Sequence, residues 1–539
     1  MLPLRLIRIL CAAPFGVLLT FPIPACAYPV SSLLTEMVES QAPGTWLRVN
    51  QNQFQDVWTP KAQRSSPGAG SPKYVISAWS GGGYDSNTGD FYVWGGDNGT
   101  YSGNEVYRWR AASLSWERLS LPSAIKSFQT ASGKKMWTTV DGVDNTPISG
   151  ETFDNVVFLP NVNRLAIMGG NAYPGNGLQY FREDRLTRAG PYFFDPTKAD
   201  ANKVGGITGS HVNPGAFPDV VGGEMWQNRQ SIHTSAGLIG PKSLGGGVSA
   251  VTSIDGKDVV FVGETGKGRH GRLFKYTVNS LNPSEDVWEV VGTMGKNTFS
   301  GTGVGAYDPT RNIFLRTAKR TFRELDEATG LYVKRTTAAL MYWDLNNAGP
   351  NNPRIRIPWE TLIGDALPYT NTFGMDYDPV TDAFYIWAGT NDVWILKPPQ
   401  TFGPTGWIIQ RLTPDPIGPI ATSSKYPMVY GKWNYMSGLG AFMGVANSIT
   451  GDVWVYKPQL GEFSVDGLDF AGSEIALYER MRTSAYPVAD TAATGVPEPS
   501  TLLLLVIGMA ALLRRGQISV SGHSGAPPMS ACGVIAPVM

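Results

Sequence analysis

Short runs in which apolar and polar residues alternate fill most of this chain, and clusters of Asp, Asn and Gly break them before a helical face can form. The pattern is clearest along Ala78–Leu119, which predicts four strands: an apolar first strand, then FYVWGG after the turn YDSNTGD, then EVYRW, then SWERL. Tyr, Val and Trp alternating with polar residues fit half-buried strands. Asp, Asn and Gly between them supply turn conformations that a strand interior does not tolerate. One such sheet leaves both faces apolar, so it calls for further sheets of the same kind around an axis.

The turn and second strand recur at Leu159, Thr252, Tyr307, Tyr377 and Trp433, and each recurrence is followed by an aromatic third strand, at Pro191, Arg272, Ala339, Asp392 and Asp452. A fourth strand opening with Trp follows at Trp116, Trp288 and Trp407. The sixth unit runs into a Pro- and Gly-rich tail instead. The segment TWLRV around Trp46 is expected to supply its missing strand and to close the ring by pairing first residues with last. Asp85, Asp308 and Asp378 recur at one turn position, where an Asp side chain caps backbone amides; a structural role is expected for them.

These marks resemble the kelch repeat of the galactose-oxidase-like β-propellers: a Gly pair closing the second strand (Gly95-Gly96, Gly169-Gly170), an aromatic third strand and the Trp of the fourth. The resemblance implies an all-β propeller of six four-stranded blades over residues 28–460, or seven if the long linkers hide another unit. The pattern thins along the chain. Only Gly263, Gly389 and Gly444 remain in the third, fifth and sixth units, and Arg316-Thr317 stands in the fourth where the Gly pair belongs.

Charge then narrows the function. Lys plus Arg equal Asp plus Glu at 44 each, which argues against a nucleic-acid partner held by bulk electrostatics. The cysteines are Cys11, Cys26 and Cys532, all outside residues 28–460, so no disulfide is expected in the propeller. The resembled family includes copper-radical oxidases whose cofactor joins a Tyr to a Cys. That chemistry is argued against here, and no cofactor or metal is expected.

The two ends read as addresses. Residues 1–27 carry Arg5 and Arg8, an apolar run and Ala25-Cys26-Ala27, the order of a secretory signal peptide cleaved after Ala27. A lipoprotein leader acylated at Cys26 is the alternative, and Pro24 fits that site poorly. Beyond a linker over 461–495, residues 496–515 read VPEPSTLLLLVIGMAALLRR. This resembles the PEP-CTERM sorting signal of Gram-negative bacteria: Pro497, Glu498 and Pro499, an apolar transmembrane segment, then Arg514 and Arg515. The resemblance implies an exosortase as processing partner, a transient stay in the inner membrane, and delivery to the cell surface or its exopolysaccharide. A plain membrane anchor is the other reading, although the apolar run is short for a full span. Family signals stop soon after the basic pair; residues 516–539 form an atypical extension expected to be unstructured.

Candidate chemistry concentrates in the linkers. Between the second and third units, Gly205–Gly247 carries His211, Glu224, Trp226, Arg229 and His233. Imidazoles can move protons or hold a metal, and an arginine can pair with a uronate. These four titratable residues, with His270 nearby, are the candidates for a carbohydrate-active hydrolase or lyase, but their spacing matches no known ligand motif. Trp137 and Trp226, in the two long linkers, are the candidates for stacking on sugar. The favoured expectation is a non-catalytic surface protein that binds extracellular polysaccharide or a partner protein, with the enzyme as alternative.

Overall fold

Six antiparallel sheets take up most of the strands in the structure, a computed structural model. It describes residues 31–459 except 65–69, 97–98, 130–132, 134, 174–189, 210–211, 230–246, 265–270, 295–298, 301, 327–328, 369–371, 415–417, 420–427 and 446–448. Blade 1 is Gly81–Tyr84, Phe91–Trp94, Tyr107–Arg110 and Ser115–Arg118; blade 2 is Val156–Leu159, Arg164–Ile167, Tyr192–Phe194 and Trp226–Asn228. Blade 3 is Val248–Ile254, Lys257–Gly263, Arg272–Val278 and Val287–Thr293; blade 4 is Gly305–Asp308, Ile313–Asp326, Leu331–Asp344 and Ile355–Ile357. Blade 5 is Gly374–Asp378, Ala383–Trp387, Val393–Lys397 and Ile408–Leu412, with Ile363–Gly364 added in parallel to the last. Blade 6 is Trp433–Met436, Ala441–Val445 and Val453–Tyr456, completed by Trp46–Arg48.

Each first strand lies against the first strand of the next blade, and the sixth returns to the first, so the sheets form a closed six-bladed β-propeller. The apolar core follows from this geometry. It divides into six clusters, one in each seam between neighbouring blades. In the seam between blades 5 and 6, for example, Trp433 stacks on Phe442 at 5.0 Å and Trp46 lies 5.4 Å from Trp387. The fourth-strand Trp works the same way: Trp116 meets Phe54 edge-on at 5.3 Å, and its indole donates to the Gly451 carbonyl at 2.7 Å.

The ring closes as the sequence predicts, with Trp46 opposite Tyr456, Leu47 opposite Val455 and Arg48 opposite Trp454. A helix, Ser32–Ser40, is tied to this closure. The Lys457 ammonium donates to the carbonyls of Val38, Glu39 and Gln41 at 2.9, 3.1 and 2.9 Å, adding to the Gln41 amide that caps Val38 at 3.2 Å and serving carbonyls for which a helix C-terminus has no intrahelical donor.

Three features depart from the sequence reading. Trp226–Asn228 is the fourth strand of blade 2 rather than part of a linker, so Gly205–Gly247 is two connections, 195–225 within blade 2 and 229–247 between blades. The linker from blade 1 to blade 2 contains its own hairpin, Ile125–Gln129 with Lys135–Thr139. Blade 4 does not end its second strand at Arg316. It continues as a two-stranded ribbon paired without a break from Ile313 opposite Asp344 to Asp326 opposite Leu331.

The expected signal peptide over 1–27 with Ala27, the expected linker over 461–495, and residues 496–539 with Pro497, Glu498, Pro499, Arg514 and Arg515 lie outside the described residues. Among the described residues no helix is long and apolar enough to cross a membrane.

Candidate functional site

Because all first strands run the same way around the ring, the two faces of the propeller are built from different parts of the chain. One face, here the turn face, carries the tight connections between first and second strands. The caps there are those expected: Asp85 accepts from the Asn87 amide at 2.9 Å, Asp308 from the Thr310 amide at 2.8 Å, and Asp378 from the Val380 amide at 2.8 Å. The opposite, linker face receives the blade-to-blade connections, the links between second and third strands, and the blade 4 ribbon.

The retained glycines belong to this linker face. At Gly95, with φ of 105°, a Cβ would stand 2.7 Å from the Gly150 carbonyl, and at Gly170 it would stand 2.4 Å from that of Glu151. Only a residue without a side chain lets the linker into blade 2 cross so close to the second strands. That crossing delivers Asp154 to the head of the first strands. Its carboxylate accepts from the backbone amides of Ser249 at 3.2 Å and Gly305 at 2.7 Å, so one side chain from blade 2 holds blades 3 and 4. Burial raises its pKa well above the carboxylate range, and nearby Asp376 adds to this while Arg316 opposes it.

Further charges gather at the same face. Arg316, where blades 1 and 2 have glycine, is fully buried; it reaches the Glu264 carbonyl of blade 3, and burial brings its pKa down to about 10. Lys432, on the linker into blade 6, is also fully buried and donates to the Ser80 carbonyl of the linker into blade 1 at 2.6 Å; burial pulls its pKa down to about 7. Asp376 of blade 5 accepts from the Tyr435 amide of blade 6 at 2.7 Å and titrates at about 6, raised by burial against the pull of the amides. Phe153 and Tyr430, both held at positive φ, meet edge to face at 5.5 Å above these groups' linkers. Non-glycine residues keep such conformations only where packing over-determines them. The centre of the linker face is thus a rigid polar and aromatic plug that stitches linkers together.

No family model matches the chain. No curated protein matches it either. Among solved structures it resembles an α-L-arabinofuranosidase from Fusarium graminearum in complex with an iminosugar inhibitor, at 11% identity, 77% of this chain, 98% of that chain and TM-score 0.35. It also resembles a chain of the Mitotic Checkpoint Complex (9% identity, 85% and 100% covered, TM-score 0.29) and an engineered GH43 glycoside hydrolase with endo-xylanase and exo-arabinofuranosidase activity (12%, 72% and 50%, TM-score 0.28). At these scores no activity carries over to this chain.

Of the candidate residues read from sequence, Trp137, Glu224, Trp226 and Arg229 are among the described residues. His211, His233 and His270 lie outside the described residues, and the fourth strand of blade 2 separates the first two along the chain. Glu224 is exposed, at φ of 50°, immediately before that strand. Arg229 is buried and fully engaged. It pairs with Asp286 through Nε at 2.8 Å and Nη2 at 2.7 Å, and spends its other donors on Gln227 and the carbonyls of Leu281 and Ser280. Five N–H groups are all that a guanidinium has, so Arg229 clamps blade 2 to blade 3 and has none left for a uronate.

Trp226 is buried as well, 5.1 Å from Phe194 and 5.6 Å from Trp94, and offers no face to a sugar. Trp137 is half-buried on the linker hairpin, with the Lys135 ammonium 4.8 Å over its ring. Among the described residues no group of three or more His, Cys, Asp or Glu is placed to hold a metal.

The sequence reading missed the blade 4 ribbon. Its tip is where two large apolar neighbours stand most exposed, Leu331 at 66% and Tyr332 at 69%. The signal was present: the run from Ile313 to Asp326 contains no Gly or Pro, and the missing Gly pair marks a strand that does not stop.

Proposed function

We propose that this chain is an exported, non-catalytic surface propeller that binds a partner protein through its linker face. The observation that carries the reading is the long ribbon raised on the linker face, whose tip exposes Leu331 and Tyr332, one towards each side of the ribbon, at 66% and 69%; the turn face carries the capped turns and the connection 195–225, where Ile207 and Val221 are exposed less, at 48% and 52%. Adjacent exposed apolar residues on a projecting element favour a protein over a glycan, which would be met by a row of exposed indoles. The only indole among the large exposed hydrophobic side chains of the described residues is Trp359. Export by the signal over 1–27 and sorting by an exosortase at Pro497–Pro499 belong to the same proposal and rest on those sequence motifs.

Site-specific photo-crosslinking in the full chain tests it. A photoreactive residue replaces Tyr332 at the ribbon tip or, as control, Val380 on the turn face, two positions of nearly equal exposure (69% and 68%). The reading expects a protein adduct on the producing cell's surface from position 332 and none from 380. Adducts to polysaccharide alone, or equal adducts from both positions, contradict it.

A further inference from the structure

We propose that the head of the central channel, on the linker face, holds a calcium ion ligated by the Asp154 carboxylate and the backbone carbonyls of Gly82 and Val156. The observation is a convergence of acceptors beside Gly431, on the linker into blade 6. Outside residues 430–432, the three atoms nearest to where a Cβ of Gly431 would stand are all oxygens: Asp154 Oδ1 at 3.2 Å, the Gly82 carbonyl at 3.4 Å and the Val156 carbonyl at 3.6 Å. Gly431 is not held at positive φ, so its missing side chain is a matter of space and not of backbone conformation.

Neither carbonyl is spent within its own sheet. Residues of an antiparallel pair alternate between turning their backbone groups to the neighbouring strand and turning them away. The Asp85 amide donates to the Asp90 carbonyl, so Gly82, three residues earlier, turns its carbonyl away from the second strand of blade 1. The Asn155 carbonyl takes the Met168 amide, so the Val156 carbonyl points away from the second strand of blade 2. First strands are the innermost of their blades, and both carbonyls therefore face the channel.

Asp154 supplies the charge. It is 5% exposed, its Oδ2 is spent on the Ser249 and Gly305 amides, and among the described residues no donor reaches Oδ1. Acceptors turned on one place need something positive between them. A proton on Oδ1 serves one carbonyl, and a water has two protons for three acceptors, whereas a hard cation meets all three at once. Calcium suits the set because it takes carbonyls and waters beside a carboxylate in flexible geometry, while magnesium demands a near-ideal octahedron. Arg316 and Asp376 bring one charge of each sign towards Asp154, and the Lys432 ammonium is directed to the Ser80 carbonyl instead. The ion would complete a hub: Asp154 already joins blade 2 to blades 3 and 4, and the Gly82 carbonyl adds blade 1. With only one acidic residue in the set, no cluster of acids marks it in the sequence.

The test compares the full chain with Gly431→Ala and Asp154→Asn after dialysis against a chelator, by thermal melts and by calorimetric titration of calcium chloride. A single site is expected, with a dissociation constant of about 0.1–1 mM, as in extracellular modules. About 10 mM calcium should raise the melting temperature by a few degrees. Gly431→Ala places a methyl group in the cradle and leaves every ligand in the chain; it should melt close to the chelated parent, which shows that it is folded, and no longer respond to calcium. Asp154→Asn keeps an oxygen for the two amides but turns an N–H donor towards the carbonyls, and its affinity should fall at least about tenfold.

Sodium and choline chlorides at equal ionic strength control for screening and for a monovalent ion. No response of the parent chain to calcium overturns the proposal. Equal stabilisation of all three proteins means surface binding only and overturns it as well. Stabilisation by sodium over choline, with nothing added by calcium, overturns the assignment to calcium.

Discussion

The Arg229–Asp286 pair decides between a structural and a ligand-binding reading of the same arginine, and its energetics are explicit enough to test. Both side chains are at 0% exposure, and the carboxylate also accepts from the Tyr276 hydroxyl at 2.5 Å. Asp286→Ala removes both carboxylate oxygens and leaves a guanidinium sealed from water with no anion against it, its donors on the Ser280 and Leu281 carbonyls and Gln227 and its plane 4.6 Å from the Phe193 ring. Breaking a buried pair from one side costs about 3–5 kcal/mol, whereas replacing both members by apolar residues of similar size is often close to neutral. Arg229→Met should cost about as much as Asp286→Ala, and Arg229→Met with Asp286→Leu should recover most of the loss. Equilibrium urea unfolding of the four proteins gives the cycle. A cost under about 1 kcal/mol for Asp286→Ala, or additive costs in the double variant, would refute the clamp. If Arg229→Met left stability unchanged but weakened partner binding, Arg229 would return as a ligand group.

Other expectations follow from single contacts. Asp258 is fully buried and accepts the Asn161 and Val162 amides of blade 2 at 3.2 and 3.0 Å, and burial raises its pKa from the usual 3.8 to about 6. A folded state that holds this proton more tightly gains stability that is fully present below pH 3.8 and lost as pH rises through 6, at most roughly 3 kcal/mol. Asp258→Asn should flatten that part of the stability profile measured by thermal melts between pH 4 and 7; an unchanged slope counts against it. Gly170→Ala, at φ of 151° and with its Cβ only 2.4 Å from the Glu151 carbonyl, should destabilise by about 1–3 kcal/mol, whereas the exposed Gly256→Ala, with nothing within 4 Å but φ of 72°, should cost about 1 kcal/mol from backbone strain alone. Lys457→Met removes a donor from the carbonyls of Glu39, Gln41 and Val38, the last of which keeps the Gln41 amide, and should expose the Ser32–Ser40 helix to limited proteolysis before the blades are cut; simultaneous loss of all segments would count against a separate role for this contact.

The ring was legible because its repeat is written in residues with fixed physical jobs. Asp at the first turn, glycine where the linker crosses, and Trp on the fourth strand each recur, and Trp46 could be assigned to the sixth blade because that unit runs straight into the Pro- and Gly-rich tail and the segment TWLRV near the start of the expected mature chain reads as a strand. Trp226–Asn228 was hidden by its brevity and by the long connection before it, so it read as linker. Arg229 looked available because its partner, Asp286, lies 57 residues further on and nothing local announces the pair. The polar centre was out of reach for the same reason: Asp154, Arg316 and Lys432 acquire their meaning only when linkers from different blades meet.

The central claim is that the linker face does the binding and the turn face does not. Hydrogen–deuterium exchange on the full chain, alone and with the protein captured through position 332, measures this across both faces at once. Slowed exchange confined to the ribbon, with the turns at 85–90, 308–312 and 378–382 unchanged, is the predicted result. Protection at those turns with the ribbon unaffected would contradict it.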